Sequence, residues 1–143
     1  MNRLRDHIKT IPARSKSIQK DSLLSKPAPN KWSKQEILGH LVDSAVNNLR
    51  RFNEAQFFPT PYSVIGYNQD NLVVVNQYQS LPLNELMHLW AALNGQIVHV
   101  VTNIPVEKLQ YKVILYSGET KTLEWLIGDY VDHMEHHLNQ VFG

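Results

Sequence analysis

The sequence predicts an all-α fold, a helical bundle that forms a single domain over residues 1–143. Four long segments carry apolar residues at the three- and four-residue spacing of an amphipathic helix, and little else looks extended. A hydrophobic content of 43% is enough for one sizeable core. Paired prolines in 26–31 and 58–63 break the helical pattern, but neither break is long enough to separate two domains.

The first helix is predicted from Pro12 to about Leu24, because the fixed φ of proline suits a first helical turn. An earlier start near Leu4, with a disturbance at Pro12, is the alternative.

The second helix has the strongest start signal in the chain. Ser33 and Glu36 have the spacing of a capping box, and Trp32 and Ile37 occupy the positions of a hydrophobic staple. We expect the helix to end near Phe58, before a proline. Its predicted apolar stripe consists of Ile37, Leu38, Leu41, Ala45, Leu49 and Phe52.

Residues 70–79 contain three consecutive valines, which fit a strand or a short helix equally well. The third long helix is predicted to begin around Pro82 and to stop at Pro105. Its apolar stripe consists of Leu86, Leu89, Trp90, Leu93, Ile97, Val100, Val101 and Ile104.

Residues 109–117 alternate in part and are predicted to be extended, with a turn at Gly118. The last helix is predicted from about Thr120 to Val141. Its buried face consists of Leu123, Leu126, Ile127, Tyr130, Met134, Leu138 and Val141.

The chain has seven histidines, and four of them give no metal signal. His88 and His99 fall opposite the apolar stripe of their helix, so we expect them on the surface. His7 precedes the Pro12 helix start, and His136 points away from the core face of the last helix.

Three histidines remain as candidate metal ligands. His133 and His137 lie four residues apart, so they project from the same side of the last helix and border its core face. His40 lies on the flank of the second helix's apolar stripe. The competing interpretation is that the pair are polar residues at a helix seam and His40 a boundary histidine. Three imidazoles would leave an open site, suited to Zn, Ni, Fe or Cu.

Supporting residues are predicted less directly. Asp43, Asn47, Asp129 and Asp132 are candidates to accept the second N–H of the ligand imidazoles. Four residues of the connecting segments have two possible roles: they cover the metal or pack as ordinary loop residues. They are Tyr62, Tyr67, Asn71 and Tyr78.

Composition limits the function classes. The chain has no cysteine, no apolar run long enough for a membrane helix, and a charged N-terminal stretch unlike a secretory signal, so we expect a cytoplasmic protein without membrane partners. Residues 1–51 carry a net charge of +7 and residues 52–143 a net charge of −6. This split favours packing of a basic half beside an acidic half over nucleic-acid binding, because the cations are dispersed.

Two motifs resemble the DinB/YfiT-like superfamily, the damage-inducible family rather than the polymerase of that name. They are KWSKQEILGHLVDS at 31–44 and TLEWLIGDYVDHMEHHL at 122–138. The resemblance implies an up-down-down-up four-helix bundle, frequently a homodimer. It also implies one divalent metal on the positions of His40, His133 and His137, with nickel or zinc as first candidates and iron, manganese or copper as alternatives.

The resemblance leaves the reaction open between three hypotheses. The leading one is transfer of a low-molecular-weight thiol, activated by the metal, to an electrophilic small molecule. The second is hydrolysis by a metal-activated water, with His136, Asp43 or Glu135 as possible bases, so no catalytic side chain is assigned. The third is a metal-binding stress protein without turnover, which the absence of a fourth protein ligand disfavours.

Overall fold

The computed structural model describes residues 1–143 and contains six α-helices. The four long ones are α1 (Asn2–Lys16), α3 (Lys34–Phe57), α5 (Leu83–Thr102) and α6 (Leu123–Phe142), and the two short ones are α2 (Lys20–Leu24) and α4 (Gln69–Val75). The predicted all-α four-helix bundle is confirmed. None of these helices combines the length and the apolar character that crossing a membrane requires.

Helices α3 and α5 run in the same direction. At their N-terminal ends, the side-chain amide of Gln35 on α3 donates to the carbonyl of Leu81, two residues before α5. Further along, Phe52 of α3 and Asn94 of α5 both contact Tyr130. Parallel neighbours need a long connection, which the 25 residues at 58–82 supply.

Helix α6 runs against α3 and with α1. The start of α3 faces the C-terminal part of α6, where the rings of His40 and His137 lie 4.7 Å apart. Arg3 of α1 bonds Glu135, and Arg14 lies over the ring of Phe142, so residue numbers rise together along α1 and α6. These directions give the up-down-down-up order.

The preferred start of the first helix, at Pro12, is wrong. Helix α1 begins at Asn2, passes through Pro12 and ends at Lys16, and α2 follows as a separate short helix. Leu4 and Ile11 are fully buried on its inner face. Their burial offsets the backbone hydrogen bond that proline cannot donate.

Of the two alternatives for residues 70–79, the short helix is confirmed: the three valines lie in α4, which ends at Val75. The side chain of Asn68 accepts from the amide of Asn71 and caps α4. Gln77 then adopts a left-handed conformation at φ 53°, and a 3-10 turn follows over Tyr78–Ser80.

A small sheet adds to the all-α prediction. Strands β2 (Lys112–Ile114) and β3 (Thr120–Thr122) pair antiparallel, and β1 (Tyr62–Ser63) pairs parallel with β2. Gly118, at φ 93°, lies in the predicted turn. The long connection between α3 and α5 is thereby fixed to the segment before α6.

The apolar stripes converge on one core of 26 buried hydrophobic residues. Trp90 and Phe52 are its largest fully buried side chains. One member of the predicted third stripe is an exception, since Leu89 is 44% exposed and faces away from the bundle.

Candidate metal centre

The start of α3 is fixed by the predicted capping box. The hydroxyl of Ser33 accepts from the amide of Glu36, and the carboxylate of Glu36 accepts from the amide of Ser33, both at 3.0 Å. The box orients the helix seven residues, about two turns, before His40. His40 is consequently held at the α3–α6 seam with 0% of its surface exposed.

The structure brings His40, His133 and His137 together. The Nε2 atom of His133 lies 3.5 Å from that of His40 and 3.2 Å from that of His137. One ligand nitrogen from each residue lies within 4.8 Å of the others. Two nitrogens on a tetrahedral ion at about 2.1 Å would be about 3.4 Å apart. The two separations from His133 therefore suit ligands of one transition-metal ion.

All three imidazoles are held in the neutral form that binds metals. Burial, reinforced by the neighbouring imidazoles, lowers the pKa of His40 to about 3 and that of His133 to about 4. Burial also lowers the pKa of His137. At neutral pH the site therefore presents lone pairs without first losing protons.

The outer nitrogens of the rings have different partners. The Nδ1 atom of His137 donates to the side-chain oxygen of Gln140 at 2.8 Å, which leaves Nε2 as the lone-pair nitrogen. The Nδ1 atom of His40 is buried without a hydrogen-bond partner. The ring of Trp32 packs 4.8 Å from that of His40 and covers this side of the site. Gln140 was not among the predicted residues, although its three-residue spacing from His137 could have indicated it.

The four predicted acceptors do not bond the ligand imidazoles. Asp43 accepts from Tyr78 at 2.6 Å and Asn76 at 3.1 Å, and Asp132 accepts from Arg3 at 2.8 Å. Asn47 donates to the backbone of its own helix. That prediction is therefore wrong: three of these side chains bond other partners, and the second carboxylate oxygen of Asp43 is buried with no hydrogen-bond partner. Asp129 lines the cavity described below.

Tyr78 packs directly on the backbone of α3 beside the site. A Cβ atom built on Gly39 would overlap the Tyr78 ring, so only glycine permits this approach. The tyrosine hydroxyl reaches Asp43 one turn further on, where burial raises the carboxyl pKa. Tyr78 therefore supports the histidine-bearing turn of α3 and does not cover the metal position.

Of the other three predicted loop residues, one packs in the core, one is exposed and one lines the cavity. Tyr62 is buried and donates to Glu54 at 2.9 Å, so it packs, and Asn71 is exposed on α4. Tyr67 lines the cavity described below, so it alone of the four predicted loop residues contacts that space.

The remaining histidines lie away from the cluster. His88, His99 and His136 are exposed, as predicted. The Nε2 atom of His7 lies within hydrogen-bond distance of the carboxylate of Glu135, at 2.9 Å. Glu135 also bonds Arg3, so this carboxylate is already engaged and is a poor candidate for a catalytic base.

A cavity of about 610 Å³ opens beside His133, between α3, α6, residues 66–69 and the β2–β3 turn. Its polar side chains include Ser44, Asn48, Arg51, Tyr67, Asp129 and His133. Tyr67 and Asp129 were among the predicted residues, whereas the α3 residues were missed. Ser44, Asn48 and Arg51 follow His40 along α3 at four, eight and eleven residues, a spacing that places them on one helix face.

Comparison with known proteins gives a consistent result. The model of the DinB superfamily matches residues 3–141. A protein of Halalkalibacterium halodurans named "Putative metal-dependent hydrolase" is 24% identical over 138 residues, which cover 94% of this chain and 80% of that protein. The structure of YfiT from Bacillus subtilis superposes with a TM-score of 0.82 at 19% identity, covering 98% of this chain and 82% of YfiT. YfiT is described as a probable metal-dependent hydrolase with an unusual four-helix bundle topology. The family match spans nearly the whole sequence, and this chain therefore belongs to the DinB superfamily.

Proposed function

We propose that this protein is a metal-dependent hydrolase of a small-molecule substrate, with one divalent ion held by His40, His133 and His137. The observation that carries the proposal is the convergence of three neutral imidazoles, one of which, that of His133, lines the cavity. The names of the relatives support the same reaction class. Three protein ligands leave coordination positions for water and substrate.

The side chains around the cavity define the roles available. A bound ion would supply a Lewis acid that lowers the pKa of a nucleophile and polarises a substrate oxygen. Asp129 lies four residues before His133, so both project from the same side of α6 into the cavity. Burial and the charge of Asp132 raise the pKa of Asp129, which makes it a better proton acceptor. Asp129 is our candidate general base.

Thiol transfer is the second candidate function. The cavity of about 610 Å³ is large enough for a small organic cosubstrate in addition to the electrophile's reacting group. The chain has no cysteine, so the nucleophilic sulfur would arrive on that cosubstrate. In this reaction Asp129 would accept the thiol proton in place of a water proton.

The test begins with metal content. Protein purified without chelator is expected to hold about one divalent ion per chain, and mass spectrometry identifies it, with nickel or zinc the proposed ions. The triple alanine variant at His40, His133 and His137 should lose the ion, whereas His136→Ala should keep it. Equal metal content in the triple variant would disprove the site.

Activity is then measured on chromogenic esters, amides and phosphoesters, with and without added thiols. Turnover that chelator abolishes, a divalent ion restores and Asp129→Asn slows by at least about 100-fold would support hydrolysis. Turnover that requires a thiol would favour the transferase instead. Metal binding with no turnover on either panel would leave the non-catalytic stress protein.

Two further properties are proposed on the same basis. We propose that residues 1–143 form one domain, because the four long helices share one core. The family resemblance supports a homodimer, which sedimentation analysis of the purified chain would test.

A further inference from the structure

Arg51 is unlike the other four arginines of the chain. The other four are exposed, whereas Arg51 is partly buried in the wall of the cavity that also contains His133. Its guanidinium donates to the carbonyl of Ile65 at 2.7 Å and to the side-chain oxygen of Asn48 at 3.4 Å. The ring of Tyr67 lies 5.6 Å away. These contacts hold the guanidinium in one place.

The contacts of Arg51 leave its charge without a counterion. A guanidinium has five N–H donors, and the two bonds to Ile65 and Asn48 use two of them. No carboxylate lies within ion-pair distance of Arg51. By contrast, Arg3 pairs with Asp132 and Glu135 on the surface.

A partly buried cation whose hydrogen-bond partners are neutral raises the free energy of the folded state unless a bound anion balances its charge. Burial lowers the pKa of Arg51, yet a guanidinium keeps its proton in proteins, so the positive charge persists. Its planar donors match the two oxygens of a carboxylate or phosphate group. The cavity is open to a ligand that brings such a group.

We propose that Arg51 binds an anionic group, a carboxylate or a phosphate, on the molecule that occupies the cavity beside His133. This inference rests on the proposed function only in assigning that molecule as the substrate. Asp129 lines the same cavity and would repel a second anionic group near α6. The expected substrate therefore carries its negative charge at the Arg51 end and a neutral reacting group at the His133 end.

Binding of simple anions tests the site without any turnover. The Nε–H resonance of Arg51 is followed by NMR in the full chain, with chelator present and ionic strength held constant. Inorganic phosphate and acetate are titrated separately, which distinguishes the two anion types. A saturable shift of the Arg51 resonance is expected with at least one of them, and Arg51→Lys identifies the resonance.

Arg50 provides a matched control one residue away. It lies on the same helix but is exposed and ion-paired with Glu54 at 3.0 Å. Arg51→Gln is expected to weaken anion binding by about tenfold or more, whereas Arg50→Gln should leave it unchanged. An Arg51 resonance that ignores both anions, or an equal shift at Arg50, would overturn the proposal. The wild-type titration decides the question even if Arg51→Gln fails to fold.

A specificity measurement links the site to catalysis. For any substrate that is turned over, kcat/KM is compared between an anionic form and its neutral methyl ester. Arg51→Gln should reduce the preference for the anionic form by about 10- to 100-fold, mainly through KM. If the protein binds anions but turns over no substrate, the proposed function is refuted and this inference stands. If it turns over substrates with no preference for the anionic form, this inference is refuted and the proposed function stands.

Discussion

Two sides of the same stretch of α6 have opposite electrostatic character. On the inner side, His133 and His137 face His40 and have lowered pKa values because they are buried. On the outer side, the carboxylates of Asp132 and Glu135 bond Arg3 of α1. All four residues lie within six positions of one helix. The face on which a side chain lies, rather than the density of ionisable residues, decides between a cluster of neutral imidazoles and a surface ion-pair network.

His7 and His40 show the same contrast for one residue type. The Nε2 atom of His7 lies 2.9 Å from the carboxylate of Glu135, so this ring nitrogen already has a hydrogen-bond partner. His40 is fully buried and its ionisable neighbours are imidazoles, which destabilise the protonated ring. A metal ion needs further ligand nitrogens nearby, and of these two histidines only His40 lies among other imidazoles.

The largest expected effect separates the inner from the outer histidine of α6. His133→Ala should lower metal affinity by more than about 100-fold, because two imidazoles cannot replace a three-ligand site. His136→Ala should change it less than about twofold, since that ring is exposed. Competition with a chromogenic chelator measures both. If His136→Ala proved the more damaging, the assignment of the inner face would be wrong.

The next effect concerns the helix that carries His40. Gly39→Ala should destabilise the fold by about 1–3 kcal/mol, because the new methyl group would overlap the Tyr78 ring. Gly128→Ala, on the exposed side of α6 with open space around it, should stabilise by about 0.5–1 kcal/mol. Urea unfolding monitored by circular dichroism compares the two variants. Equal effects would mean that Tyr78 does not support the site.

Local signals predicted most of the bundle. These signals depend on residues that are close in sequence, so the sequence alone predicted them. They are the capping box at Ser33, the prolines that bound α5 and the helical periodicities. The start of α1 could not be predicted in this way, because burial of Leu4 against distant helices overrides the signal at Pro12. In the small sheet, the extended segment of β2 and the turn at Gly118 were predicted, because β2 and β3 are close in sequence. The parallel pairing of β1 with β2 was out of reach, since Tyr62 and Val113 lie 51 positions apart.

The candidate site was predicted in the same uneven way. Helical spacing and face placement singled out the three histidines, and the structure gathers their ring nitrogens. The cavity depends on how residues 66–69 and Tyr116 close over α3, which no spacing within one helix reveals. From the sequence alone, Arg51 was therefore indistinguishable from the other dispersed cations, although its position in the cavity wall makes it distinct.

The lowered pKa values of the clustered histidines also predict that acid lowers the folding stability of the metal-free protein. The pKa of a histidine is about 6.5 in the unfolded chain but about 3 for His40 and about 4 for His133 in the folded chain. The unfolded state therefore binds more protons between those values, and stability falls as pH decreases from about 6.5 toward 4. The slope is up to about 1.4 kcal/mol per pH unit for each histidine.

Urea unfolding of the chelated protein at several pH values measures this slope. His133→Gln should flatten it, because a glutamine does not titrate. His88→Asn, a change at an exposed position, should leave it unaltered. A chelated protein with the same stability at pH 6.5 and pH 4.5 would show that the rings are not held neutral by burial.

The smallest effect is expected on the outer face, where Glu135→Gln removes the carboxylate that Arg3 and His7 share. Hydrogen bonds from Arg3, and then from His7, lower the pKa of Glu135 to about 2. Its contribution to stability is thus complete above the unfolded pKa of 4.5 and is lost as pH falls from there toward 2. The variant should lower the thermal midpoint slightly at pH 7, less so in high salt, because 57% of the Arg3 side chain is exposed. Metal content should stay the same, because Glu135 points away from His133 and His137. If Glu135→Gln released the ion, the two sides of α6 would be one coupled unit and the contrast between them would fail.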